Sequence, residues 1–375
     1  MKNVILITVD CLRPDHLNCY GYKRLTSPFI SSLARKGWMF TNIFSNSSYT
    51  GASIASMITS TYPFDYGEYL EFDTPAKLSR KRVLLSEVLK RYGYSTVFFH
   101  DNPYLSPIFG YNRGFDVVID YGASTEGKQH QLKIRKLVFS AFKNEKVRRM
   151  FWRTKDYVSF LRWYFKDVSL HANAETLLAK AYKWVETVNS PYFLWLHFMD
   201  THIPYSPKHE ILKKFGINRF NAFLVISKHF SRARKKPLTD EEAYLFEMLY
   251  DAQIYRVDQA LAYYLPKITN ENADDTYVFI TADHGEEFSD NRNLGHHAGI
   301  LTDDLLRVPL IIYGGGLKPK IIDLKASLID LAPTFLDLLK VRKPKSFKGT
   351  TLLKEKASPI VAQGIFKGRK HQRVL

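Results

Sequence analysis

The sequence predicts a three-layer α/β/α domain built on a mainly parallel central sheet. Two features carry that expectation. Short apolar runs rich in β-branched and aromatic residues alternate along the chain with amphipathic helical stretches, the order that βαβ units produce. The strongest runs also stop on a carboxylate or an imidazole, and in open α/β sheets ligands gather at the carboxyl ends of strands.

The first run, 4–9, is the clearest strand and delivers Asp10 at its tip. Leu25-Thr-Ser-Pro28 opens a helix to Lys36 that Gly37 stops, as glycine commonly does. Residues 39–44 read as a short strand. The small-residue stretch 45–53, which holds Thr50, feeds a helix over 54–59. A hydroxyl-rich entry to a helix offers an anion free N–H groups and a favourable dipole, and it also offers a nucleophile. A helix over 83–92 precedes a strand at 95–99, whose tip carries His100, Asp101 and Asn102. Asn173 caps a helix over 174–188, and the strand at 192–196 delivers His197, Asp200 and His202. The capping box Thr239-Asp-Glu-Glu242 starts a long helix. The strand at 277–280 ends at Thr281-Ala-Asp-His-Gly-Glu286. A strand at 308–313, a helix at 327–339 and a short strand at 359–362 complete the order.

A hydrophobic content of 45% with 14% aromatic residues supports a sizeable core, and one domain over 1–375 is expected. The net charge of +17 favours anionic partners: phosphate or sulfate esters, an acidic membrane surface, or a glycan. No nucleic-acid motif accompanies the charge, so specific nucleic-acid binding is not expected. Two cysteines, Cys11 and Cys19, exclude a disulfide framework. No apolar run is of spanning length and none precedes the first strand, so the expectation is a cytoplasmic protein, at most peripheral at a membrane. Two basic, aromatic stretches, about 129–165 and 208–237, read as insertions on the rim of the sheet. Trp152, Tyr157, Trp163 and Phe165 in the first either pack on the body or dock on anionic lipid.

Asp283 and His284 stand side by side at one strand end, and Asp10 stands at another. Each alone also reads as a helix or turn cap. Two such tips on neighbouring parallel strands can share a metal ion. A carboxylate beside an imidazole suits Mn²⁺ or Zn²⁺ better than Mg²⁺ or Ca²⁺, which prefer oxygen.

Further segments occur in a telling order: Val9-Asp-Cys-Leu-Arg-Pro-Asp-His16, Thr26-Ser-Pro28, Asn102-Pro-Tyr-Leu-Ser106, His197-Phe-Met-Asp-Thr-His-Ile-Pro-Tyr205, Ala282-Asp-His-Gly-Glu286 and Arg307-Val-Pro-Leu310. In this the chain resembles the sulfatase-like branch of the alkaline phosphatase superfamily. The resemblance implies an alkaline phosphatase-like fold whose C-terminal antiparallel subdomain is minimal or missing. It puts Thr50 at the nucleophile position, with Ala52 and Ile54 where formylglycine sulfatases carry Pro and Arg. Cys11 stands where many relatives have a second acidic ligand. A threonine nucleophile is therefore expected, as in similar phosphodiesterases and phosphoglycerol or phosphoethanolamine transferases, with a covalent phospho-enzyme.

The same resemblance gives one divalent metal to Asp10, Thr50, Asp283 and His284. His202 would protonate the leaving oxygen or hold a non-bridging one, and Asn102 and Tyr104 would donate to the ester. A second metal, where present, would fall to His297 with Asp200 and His202. His296 competes with His297, whose spacing to Arg307-Val-Pro309 favours it. The expected function is a metal-dependent hydrolase or transferase of phosphate esters, phosphodiesters first. A sulfuric ester hydrolase of the same family, or a non-catalytic relative that binds anionic glycans or lipids, is the alternative.

Overall fold

The computed structural model describes residues 1–67, 77–121, 163–167, 171–188, 191–231, 238–270, 273–288, 294–354, 359–366 and 369–375. Eight strands form the central sheet: β1 (Asn3–Val9), β2 (Trp38–Phe44), β3 (Ser95–His100), β4 (Val117–Asp120), β5 (Tyr192–Phe198), β6 (Thr276–Thr281), β7 (Arg307–Gly314) and β8 (Lys320–Ser327). Their order across the sheet is β4-β3-β5-β1-β6-β7-β2-β8. Only β7 runs against the rest, pairing antiparallel with β6 and β2, so the mainly parallel sheet holds.

Alternation along β5 sets the two helical layers, because successive side chains leave a strand on opposite faces. Tyr192 meets Trp184 of α4 (Ala174–Val185), and its hydroxyl donates to Ile268 O at the end of α7 (Asp240–Ile268). The next residue, Phe193, points the other way, onto Phe335 of α9 (Leu331–Leu338). On the first face α1 (Pro28–Lys36) packs with α7. On the second, α2 (Thr50–Thr59) packs with α9 and with α3 (Leu85–Arg91). The predicted caps form: Thr239 and Glu242 close a capping box on α7, and Asn173 accepts from the Thr176 N–H on α4. α1 is capped from afar, its Phe29 and Ile30 N–H groups donating to the Asp258 carboxylate of α7.

Several expectations change. α2 begins at Thr50, not at 54, and each of its residues is buried. Small side chains that read as a loop let this helix pack against α9 and α3 with every residue buried. The stretch 208–237 contributes α5 (His209–Lys214) and α6 (Arg219–Ser231), which bury Leu212, Ala222 and Ile226 and leave Lys213 and Lys214 in solvent. Phe220 and Leu224 of α6 are exposed, and residues 232–237 lie outside the described residues. Most of 129–165 lies outside the described residues, Trp152 and Tyr157 included. Trp163 is buried, its indole N–H donating to Pro207 O at 3.0 Å, so that ring is not a docking surface; Phe165 is exposed. α8 (Asp303–Leu306) leads into β7. The expected last strand is the first half of an antiparallel hairpin, β9 (Val361–Phe366) with β10 (Arg369–Val374), a minimal C-terminal sheet. Among the described residues no helix is long and apolar enough to cross a membrane.

Candidate active site

Register brings the site together. Thr8 of β1 lies opposite His197 of β5 on one side and Thr281 of β6 on the other. Two residues further on, Asp10 and Asp283 therefore leave adjacent parallel strands at the same height. Gly285 is needed for close approach: a Cβ there would lie 1.9 Å from Asp304 O. Its φ is not left-handed, so close approach rather than backbone conformation accounts for a glycine here.

Thr50 is the first residue of α2, and no side chain caps that helix. The first-turn N–H groups of a helix have no partner within it, so this end is suited to an anion. Thr50 Oγ1 lies 3.4 Å from Asp10 Oδ2 and 3.2 Å from His284 Nε2. His284 Nε2 is 3.5 Å from Asp283 Oδ2 and 3.9 Å from Asp10 Oδ1. His284 Nδ1 sits 2.9 Å from Gly285 O, which fixes the proton on Nδ1 and turns the lone pair of Nε2 toward the other three donors. The sequence-predicted set of Asp10, Thr50, Asp283 and His284 is thus assembled.

These residues fit a divalent cation. Asp283 Oδ1 accepts from the backbone N–H groups of Cys11 and His284, whereas Asp283 Oδ2 is buried with no hydrogen-bond partner. A buried carboxylate oxygen left unpaired is costly unless an ion or water satisfies it. Ligands of a small cation at about 2.1 Å lie about 3–3.5 Å apart, which is the spacing of Thr50, His284 and Asp283 here. Burial alone would raise the Asp10 carboxyl, but the hydrogen bond from His197 and the His202 and His284 imidazoles hold it well below its ordinary value. Burial opposes the charge on His284 too, yet Asp283 and Asp10 raise it.

The remaining predicted residues divide. Asn102 Nδ2 donates to Asp10 Oδ2 at 3.0 Å, and its Oδ1 accepts from the Tyr104 N–H, so Asn102 steadies the carboxylate. Tyr104 lies edge-on to Tyr49, the neighbour of Thr50. His202 has Nδ1 at 2.5 Å from Ile203 O, and its ring faces that of His296 at 5.1 Å. Burial depresses its pKa. Asp200 Oδ2 accepts from the Ala174 N–H at the start of α4, and its Oδ1 is 3.9 Å from Arg256 Nε. One of its oxygens thus caps α4. His296, not the favoured His297, is the imidazole in the cluster, with its ring 4.3 Å from that of His284. His297 offers its backbone carbonyl to Ser48 Oγ at 3.0 Å.

Three residues take part that sequence reasoning left without a role. His197 Nε2 contacts Asp10 Oδ2 at 3.3 Å while Nδ1 meets Thr8 Oγ1 at 2.8 Å. Glu286 Oε1 is 3.0 Å from His296 Nδ1, and burial pushes the Glu286 carboxyl up to about 7. The Cys11 thiol donates to Asp10 Oδ1 at 3.0 Å. Strand position had marked His197, but nothing local links Cys11 or Glu286 to residues so far away in the chain.

A family model described as Sulfatase matches residues 2–341. The chain belongs to the sulfatase family. That family is divalent-metal dependent, in keeping with the donor groups at the strand tips. Uncharacterized sulfatase YidJ of Escherichia coli K12 is 25% identical over 175 residues, which is 44% of this chain and 35% of that protein. The chain thus spans only about a third of that relative. The fold is close to that of the phosphonate monoester hydrolase of Agrobacterium radiobacter, with a TM-score of 0.70 at 18% identity over 98% of this chain and 81% of that one. The C-terminal periplasmic domain of EcEptC from Escherichia coli, solved with Zn, gives a TM-score of 0.66 at 15% identity over 98% of this chain and 91% of that one. Both likenesses concern the fold of this sulfatase-family chain.

Proposed function

We propose that this sulfatase-family protein is a metal-dependent hydrolase of phosphate esters, acting on phosphodiesters through Thr50. One observation carries the reading: Thr50 Oγ1 stands at the N-terminus of α2, within 3.2–3.4 Å of both His284 and Asp10. Asp10, Thr50, Asp283 and His284 would hold the cation, and their mixed imidazole and carboxylate donors suit zinc or manganese over calcium. When bound, the cation supplies charge that favours an ionised hydroxyl beside it and offsets the anionic oxygens of the ester.

Thr50 Oγ1 attacks phosphorus in line; the Thr50 O–P bond forms as the P–O bond to the leaving alcohol breaks. The threonine proton is lost to solvent, and the leaving oxygen regains one there. The first-turn N–H groups of α2 face the transferring group and carry part of its charge. His202 enters neutral, because burial depresses its pKa and its Nδ1 proton is committed to Ile203 O. Its Nε2 is then an acceptor. It serves as the base that draws a proton from the water resolving the phospho-threonine, in place of the leaving-group acid expected from sequence.

A sulfatase reading rests on the family model and on the relatives' names. Against it, Ile54 is fully buried where the formylglycine pattern has Arg, and Thr50 cannot mature to formylglycine. A threonine sulfate ester would need hydrolysis afresh, without the aldehyde collapse that expels sulfate. A panel of phosphomonoesters, phosphodiesters, phosphonate esters and sulfate esters, run with Zn²⁺, Mn²⁺, Mg²⁺ and Ca²⁺, tests the proposal. Phosphodiesters with Zn²⁺ or Mn²⁺ should lead. Sulfate esters turned over best, and equally by Thr50→Ala, would overturn it.

A further inference from the structure

Beside the four donors around Thr50 lies a second group of different chemistry. Cys11 Sγ is 3.5 Å from His296 Nδ1, which is itself 3.0 Å from Glu286 Oε1. Donor atoms of Cys11, His284 and His296 all lie within 4.8 Å of one another, and all three residues are buried. The other oxygen of the Glu286 carboxylate, Oε2, is buried and has no hydrogen-bond partner among the described residues. Cys11 also takes a left-handed backbone, φ 63°, directly after Asp10. That conformation is strained for a non-glycine residue. Of these groups the Glu286 oxygen alone lacks a hydrogen-bond partner among the described residues, and a cation is one that it can share with the thiol and the imidazole.

We propose that Cys11, His296 and Glu286 form a second, sulfur-bearing cation position adjoining that of Asp10, Thr50, Asp283 and His284, and that it takes zinc. Zinc bonds of about 2.3 Å to sulfur and about 2.0–2.1 Å to nitrogen put tetrahedral ligands about 3.5 Å apart, the separation of Cys11 Sγ and His296 Nδ1. A thiolate with an imidazole selects zinc over manganese, magnesium or calcium. Binding displaces the protons carried by the Cys11 thiol and the Glu286 carboxyl, and both leave to solvent. Cys11 thereby replaces an oxygen donor at the strand tip by a soft one. The position rests on the reading of the first site as a metal centre, because the two share a wall at Asp10 and His284.

Cobalt substitution tests this apart from activity. The metal-free full-length protein, titrated with Co²⁺, should bind two equivalents and show thiolate-to-cobalt charge-transfer absorption in the near ultraviolet. Cys11→Ser and Cys11→Ala should each lose that band and one equivalent, with circular dichroism unchanged. Asp283→Asn should keep the band and lose the other equivalent. One equivalent of cobalt without the band would overturn the sulfur position and leave the first site standing. No cobalt bound at all would overturn both.

Discussion

Replacing Asp283 by Asn separates a metal ligand from a structural carboxylate. Asp283 Oδ1 already accepts two backbone N–H groups, and the asparagine carbonyl can keep both. Oδ2 has no partner and lies 3.5 Å from His284 Nε2, so the amide N–H₂ would face a lone pair there. Relieving an unsatisfied buried polar group is worth about 1–3 kcal/mol, so without metal the variant should be at least as stable as the parent. Metal reverses the order. At a hundredfold excess over Kd a ligand stabilises by about 2.7 kcal/mol. With an unfolding entropy of about 2.1 cal/mol/K per residue over 375 residues, that is a rise in Tm of about 3–4 °C for the parent and none for Asp283→Asn. Scanning calorimetry of both proteins in chelator and in Zn²⁺ reads all four values. A variant that responds fully to Zn²⁺, or that is destabilised in chelator, would refute the assignment of Asp283 as a ligand freed by the fold for metal.

Three further outcomes follow from the same geometry. Thr50→Ala should lower phosphodiester turnover by on the order of 10³-fold or more while still binding metal by elemental analysis, and Thr50→Ser should retain part of the activity. His202→Ala should slow release more than formation of the covalent intermediate, so rapid-quench kinetics should show a larger burst and a lower steady rate. Glu286 holds its proton up to about pH 7 in the folded protein but releases it near 4.5 when unfolded. Between those values the folded state binds more protons, so stability falls as pH rises; 2.5 units correspond to about 3 kcal/mol in the metal-free protein. Denaturant titrations across that range should show the slope, and Glu286→Gln should abolish it.

Much of this was legible in the chain. The runs ending at Asp10, His197 and Asp283 are short, apolar and rich in β-branched or aromatic residues, so both strand and tip could be read, and parallel register then aligned the tips without further information. The direction of β7 could not be read, because a buried run such as Arg307–Gly314 looks alike whichever way it points. The start of α2 was missed because Thr, Gly, Ala and Ser at its first four positions are unremarkable helix formers; they are there for close packing, which is a tertiary demand. His296 and His297 differ by one place in sequence, and only the path of the backbone decides which ring enters the cluster. Asp200 followed the family pattern in its segment, but its partners come from α4 and α7, beyond the reach of any local rule. Cys11 and Glu286 meet across more than two hundred and seventy residues, a juxtaposition no spacing encodes.

The most direct test of the central claim is the mass of the enzyme itself. Zn²⁺-loaded protein mixed with a phosphodiester, quenched in acid within the first turnover and digested, should yield one modified peptide. It should span Thr50 and carry the added mass of the phosphoryl group with its remaining ester substituent, and Thr50→Ala should yield none. Rapid phosphodiester turnover with no adduct at Thr50 in the wild type, or an adduct on another residue that persists in Thr50→Ala, would contradict the account.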